Sequence, residues 1–172
     1  MAEVLLRPGT PDDISSFVEL GRAVVPPTYG PIDAAYAQRM LDEWWTPAVF
    51  ATSLERNAHV VAERDGQVVA LANLGRLTRS YRAFPDVTGE REVMWKLYVH
   101  PEHQGLGIGS RLLAEIEALV EGDELWLEVV DGNDRAVGFY EAHGFAEVER
   151  SVDPRWPDDL WFKKTLRQDP GR

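Results

Sequence analysis

The stretch VHPEHQGLGIGS (99–110) packs Gly105, Gly107 and Gly109 into five residues between two apolar runs. Glycine loses more backbone freedom on folding than any other residue, so a cluster this dense marks backbone that something specific requires. VMWKLYV (93–99) ahead of it reads as a strand. GSRLLAEIEALV (109–120) behind it puts Leu112, Leu113, Ile116 and Val120 on one helical face. Strand, glycine-rich loop and helix is the arrangement that aims unpaired N–H groups, at the positive end of a helix dipole, toward an anion such as a phosphate.

Spacing separates the ligand classes that use such a loop. A P-loop needs lysine followed by serine or threonine after its last glycine, whereas Gly109 is followed by Ser110 and Arg111. A dinucleotide fingerprint needs G-x-G-x-x-G at the first strand-to-helix turn. GLGIGS supplies G-x-G-x-G, past the middle of the chain. Both readings fail.

Working outward, EVLLR (3–7) predicts a short strand stopped by Pro8 and Gly9. Thr10, Pro11, Asp12 and Asp13 then start a helix that carries Ile14, Phe17, Val18 and Leu20. Pro26, Pro27, Gly30 and Pro31 are expected to break it into a loop. Further helices are predicted over roughly 33–44 and 47–56. AHVVAERDGQVVALANLGRL (58–77) reads as a hairpin about Asp65 and Gly66. TRSYRAFPDVTGERE (78–92) has no period and reads as a long functional or mobile connection. ELWLEVV (124–130) is a strand, NDRAVGFYEAHGF (133–145) a helix capped by Asn133 and ended by Gly144. FAEVERS and LWFKKTL close the sheet as an antiparallel pair. Residues 1–172 thus read as one α/β domain with a mixed sheet.

Composition narrows the function. The 172-residue chain has no cysteine, which removes disulfides, thiolate metal sites and a thiol nucleophile. A net charge of −11 argues against nucleic acid and is compatible with attracting a cationic small molecule such as an amine. MAEVLLRPGTPDD lacks the features of a signal peptide, and no apolar run approaches the ~20 residues that span a bilayer. A cytoplasmic protein without membrane contact is expected. His100 and His103 flank Pro101 and Glu102, but two loop histidines make a poor metal site, so no metal is expected.

QGLGIGS (104–110) resembles Q/R-x-x-G-x-G/A, the pyrophosphate loop of the GNAT N-acetyltransferase superfamily. LWLEVVDGNDRAVGFYEAHGF (125–145) is similar to its second motif, N-x-x-A-x-x-F-Y-E-x-x-G-F, at Asn133, Ala136, Phe139, Tyr140, Glu141, Gly144 and Phe145. The resemblance implies the GNAT acyl-CoA N-acyltransferase fold: a mixed, mostly antiparallel sheet with splayed central strands, flanked by helices, holding acetyl-CoA as cosubstrate. It implies that backbone groups of Leu97, Tyr98 and Val99 pair with the pantetheine, as an extended ligand adds to a strand edge. N–H groups of Gln104, Gly105, Leu106, Gly107, Ile108, Gly109 and Ser110 would wrap the diphosphate, and Asn133 would contact the pantetheine arm.

For chemistry, the resemblance makes Tyr140 the general acid that protonates the CoA sulfur; a tyrosine that merely packs in the core is the alternative. Two carboxylates compete for the base. Glu128 lies twelve residues before Tyr140, a spacing similar to that of acetyltransferases that modify ribosomal proteins, and Glu92 precedes the strand before the loop. On strand parity Glu92 falls with Met94, Lys96 and Tyr98, and Glu128 with Trp126 and Val130. A bulge could invert either face, so parity does not choose. The acceptor would be a small-molecule amine or a peptide N-terminus, lined by Tyr29, Tyr36, Trp44, Trp45 and, from the C-terminal side, Trp156 and Trp161. A non-catalytic acyl-CoA-binding or sensing domain of the same fold is the alternative function. Family members are often homodimers, and nothing in the sequence settles that point.

Overall fold

The computed structural model describes residues 3–77 and 91–166. The connection predicted over 78–92 lies outside them except for its last two residues. In chain order the elements are β1 (Val4–Pro8), α1 (Ile14–Tyr29), α2 (Ala34–Glu43), α3 (Pro47–Arg56), β2 (Ala58–Arg64), β3 (Gln67–Leu77), β4 (Arg91–Val99), α4 (Ile108–Leu119), β5 (Glu124–Val130), α5 (Asp134–Ala142), β6 (Ala146–Ser151) and β7 (Asp159–Thr165). The seven strands form one sheet in the order β1-β2-β3-β4-β5-β7-β6. Every neighbouring pair is antiparallel except β4 and β5, which are parallel.

Local chemistry sets the element ends. Asp33 caps α2 by accepting from Tyr36 N at 2.9 Å, and Asn133 caps α5 by accepting from Ala136 N at 3.3 Å. Asp65 and Gly66 both have positive φ, 52° and 75°, the two-residue turn whose twist suits the β2–β3 hairpin.

Two expectations about prolines are corrected. Pro8 belongs to β1, where it pairs in register with Val60 at the end of an edge strand. Pro26 and Pro27 do not break α1, which continues through both to Tyr29. Both prolines are exposed, so the carbonyls that lose a donor face water. Val24, Val25 and Tyr29, on the other side, are buried in the core. Packing of that face outweighs the local preference.

Alternation along the strands divides the core into two layers. Val60, Ala62, Ala70 and Ala72 meet Leu112, Leu113 and Ile116 of α4 on one face. Val61 and Leu71 meet Phe17, Leu20, Val24 and Phe50 of α1 and α3 on the other. Trp45 is 2% exposed in this second layer, seated on Gly21, whereas Trp44 lines a cavity. Of the two tryptophans expected at the acceptor only Trp44 lines a cavity, and both follow the last residue of α2. Trp161 does not reach the acceptor side; it is wholly buried with Val93 and Trp126.

The sheet opens at its centre. β4 and β5 share only the register pairs Val93↔Trp126 and Met94↔Leu127, and beyond them the strands part. Helices α4 and α5 leave from the parted ends.

Candidate active site

A cleft of about 400 Å³ lies at the opening. Its loop wall comes from the glycine-rich segment. Gly105 and Gly107 have φ of 77° and 75°, a region strained for any residue with a Cβ. Both line the cleft, and a Cβ on either would meet nothing within 4 Å, so a ligand can approach this backbone closely. Gly109 is helical instead, and a Cβ there would meet Phe139 and Leu97 at ordinary contact distance.

The first backbone bond of α4 runs from Arg111 N to Gly107 O at 3.1 Å, leaving the N–H groups of Ile108, Gly109 and Ser110 without helical partners at the cleft. Leu106 is the exception in the loop: it does not line the cleft and is 57% exposed. Gln104 shapes the loop through its side chain, with Nε2 donating to Val99 O at 2.9 Å and Oε1 accepting from Arg135. Ser110 Oγ lies 2.9 Å from His143 Nε2. His143 Nδ1, 2.7 Å from Phe139 O, carries the proton in the neutral ring, so Nε2 accepts from the serine.

The opposite wall is β4. Leu97, Tyr98 and Val99 pair with Ala72, Leu71 and Ala70 of β3 on one edge, while the edge toward β5 has no strand partner there. α5 brings Asn133, Ala136, Phe139 and Tyr140 to the same cleft. Asn133 therefore both caps its helix and lines the cavity. Tyr140 is 8% exposed, and its hydroxyl makes no hydrogen bond among the described residues. Burial pushes its phenol well above the ordinary tyrosine range, so it keeps its proton.

A second cavity of about 700 Å³ lies on the α1–α3 side, lined by Tyr36, Met40, Trp44, Asn73, Lys96 and Asp159 among others. Tyr29, Trp95, Tyr98 and Glu128 line both cavities. Glu128 thus stands where the two meet. Glu92 stands elsewhere: its carboxylate accepts from Glu121 N at 3.0 Å and Gly122 N at 2.7 Å, closing the turn after α4, and it lines neither cavity.

A bulge in β4 changes which of its residues face the two cavities. Asn73 pairs with Lys96 and Leu74 with Met94, leaving Trp95 over. Leu97 and Val99 consequently join Met94 on the α4 face, while Tyr98 and Lys96 turn to the α1 face. Sequence reasoning passed over Lys96, Asn73 and Asp159. The one signal available was a lone lysine within the apolar run VMWKLYV. Burial pushes Lys96 down to about 8, partly offset by Glu128, and raises Asp159 to about 6 with help from Asp158 and Asp153. Among the described residues no group of three or more His, Asp or Glu side chains could hold a metal ion, and no helix is long and apolar enough to cross a membrane.

A sequence profile of the Acetyltransferase (GNAT) family matches residues 21–145. The chain belongs to that family, and it is an acetyl-CoA-dependent N-acetyltransferase. It is 34% identical over 134 residues to the N-alpha-acetyltransferase RimI of Mycobacterium tuberculosis, covering 72% of this chain and 80% of that protein. Its fold is similar to PaiA N-acetyltransferase from Thermoplasma acidophilum in complex with coenzyme A, with a TM-score of 0.78 at 19% identity, over 95% of this chain and 99% of that one. It is also similar to the ribosomal-protein-S18-alanine N-acetyltransferase of Escherichia coli, with a TM-score of 0.68 at 18% identity, over 99% and 98% of the two chains. The cleft's left-handed glycines, unpaired N–H groups and open strand edge fit a coenzyme A diphosphate and pantetheine.

Proposed function

We propose that the chain moves an acetyl group from acetyl-CoA, held in the cleft, directly to a primary amine held in the second cavity, with Glu128 as base and Tyr140 as acid. The observation that carries this is the meeting of the two cavities at Glu128, with Tyr140 on the wall of the first.

Residues Gln104 through Ser110 hold the diphosphate through backbone N–H groups, and the free edge of Leu97, Tyr98 and Val99 holds the pantetheine together with Asn133. Acetyl-CoA supplies the thioester carbonyl that the amine attacks. An amine is mostly protonated near neutrality, so Glu128 takes the proton that frees its lone pair, directly or through water. Tyr140, buried and fully protonated, donates to the departing sulfur as the carbon–sulfur bond breaks and the carbon–nitrogen bond forms; the second proton that the nitrogen sheds restores the phenol, and Glu128 releases its own to solvent. Similarity to an N-alpha-acetyltransferase favours a peptide N-terminus among amine acceptors.

Calorimetric titration with acetyl-CoA, followed by an amine panel read as free-thiol release, tests the proposal. Binding with release is expected. Binding without release from any amine would support instead a non-catalytic acyl-CoA-binding domain.

A further inference from the structure

The second cavity is electrically divided. Its β5–β7 side carries Glu128 and Asp159, and its β3–β4 side carries Lys96 and Asn73. The Lys96 ammonium lies 5.2 Å from the Trp45 ring and 5.9 Å from the Phe50 ring. It makes no hydrogen bond or ion pair among the described residues. Lys96 is half-buried as a residue and lines the cavity. Glu128, on the far side of the cavity, and the two rings compensate the charge only in part, so a countercharge bound in the cavity would favour it further.

Asn73 is the cross-strand partner of Lys96. It is 2% exposed; its Oδ1 has no partner among the described residues and is left for an N–H of the bound molecule, and its amide nitrogen donates to none of them and is left for an acceptor oxygen. His59, across from Asn73 on β2, behaves differently. Its ring nitrogens lie 3.2 Å from Ser53 Oγ and 3.1 Å from Asn57 O, it stacks on Phe17, and burial holds it neutral. In this row of three polar residues the fold satisfies His59 and leaves the two that line the cavity unspent.

We infer that the amine acceptor also carries a carboxylate, which Lys96 and Asn73 bind while the amine is presented to Glu128. The inference rests on the second cavity being the acceptor site. Lys96 supplies the countercharge and several N–H donors, and the Asn73 amide supplies a further donor in fixed position on a strand. The shared chemistry is an amine and a carboxylate on one molecule, which either a free amino acid or an acidic residue near a peptide N-terminus provides.

Matched acceptors test this by kcat/KM from thiol release: alanine against alaninamide, and a short peptide with glutamate second against the same peptide with glutamine second. In the wild-type protein the carboxylate member of one pair is expected to be better by about tenfold, the scale of one charged hydrogen bond, and the pair that responds identifies the source. Lys96→Met is expected to bring that ratio near one with acetyl-CoA affinity unchanged, and Lys96→Arg to retain it. Asn73→Ala, a second and independent probe, is expected to lower it. A Lys96 that merely tunes Glu128 would slow both members of a pair equally, and a ratio that survives Lys96→Met overturns the inference. So does a wild-type ratio near one in both pairs with turnover intact, which leaves the acetyl-transfer proposal standing. Acetyl-CoA binding with no turnover of any amine would remove that proposal and this inference with it.

Discussion

The hydroxyls of Tyr29 and Tyr98 lie 2.7 Å apart and join the last turn of α1 to β4 where the two cavities meet. Burial pushes both phenols up, Tyr29 to about 12, so both are protonated and one donates to the other. The bond needs α1 to continue past Pro26 and Pro27, since a helix ending there would not deliver Tyr29. Tyr98→Phe leaves the buried Tyr29 hydroxyl without this partner and is expected to cost about 1–3 kcal/mol in urea denaturation. An unchanged midpoint would mean that the bond contributes nothing net.

Tyr140→Phe tests the acid. The ring is part of the core beside Phe145 and Phe139, so packing is kept while the hydroxyl goes. Turnover is expected to fall by roughly 10²-fold, the usual scale of one acid–base group, with acetyl-CoA affinity unchanged. An undiminished kcat would remove Tyr140 from the chemistry.

Gly107→Val addresses the loop. At φ 75° a β-branched residue is strained, and its side chain would enter the cleft space that the glycine leaves open. Calorimetry should detect no acetyl-CoA binding while circular dichroism remains that of a folded protein. Normal affinity would refute the diphosphate assignment.

Gly21→Ala probes packing away from the site. A Cβ there would fall 2.3 Å from Trp45 Cε3, inside a fully buried layer. Overpacking of this kind costs about 1–3 kcal/mol, more than the roughly 1 kcal/mol that alanine gains in helix propensity. Net destabilisation is expected in urea, and a more stable variant would show that Trp45 can shift freely.

Asp159 gives stability a pH dependence. Its carboxyl rises from the ordinary 3.8 to about 6 because burial and the neighbouring Asp158 and Asp153 disfavour the anion. Between those values the folded protein holds a proton that the unfolded chain has released, so stability falls as pH rises from about 4 to 6 and the penalty is complete above that. Asp159→Asn is expected to remove this part of the slope and to raise the urea midpoint at pH 7 relative to wild type. Parallel slopes for the two proteins would contradict it.

Much of the fold could be read directly from residues. The hairpin turn at Asp65 and Gly66 and the cap at Asn133 each act within a few residues of themselves, so short-range sterics and hydrogen bonding are enough to reveal them. The prolines of α1 misled because their local cost was visible and the buried face that outweighs it was not.

The sequence by itself determined the glycine-rich loop between strand and helix, the α5 motif with Asn133 and Tyr140, and the candidacy of Glu128, because those signals are contiguous. Tertiary structure alone decided which carboxylate meets the cleft: Glu128 follows directly on the last β4–β5 pair, where the strands part, whereas Glu92 lies at the other end of β4. It alone decided that Glu92 closes the turn after α4, and that Lys96 and Asn73 face one cavity from adjacent strands. Cross-strand register and the parting of β4 from β5 bring together residues far apart in the chain, and no local pattern encodes that distance.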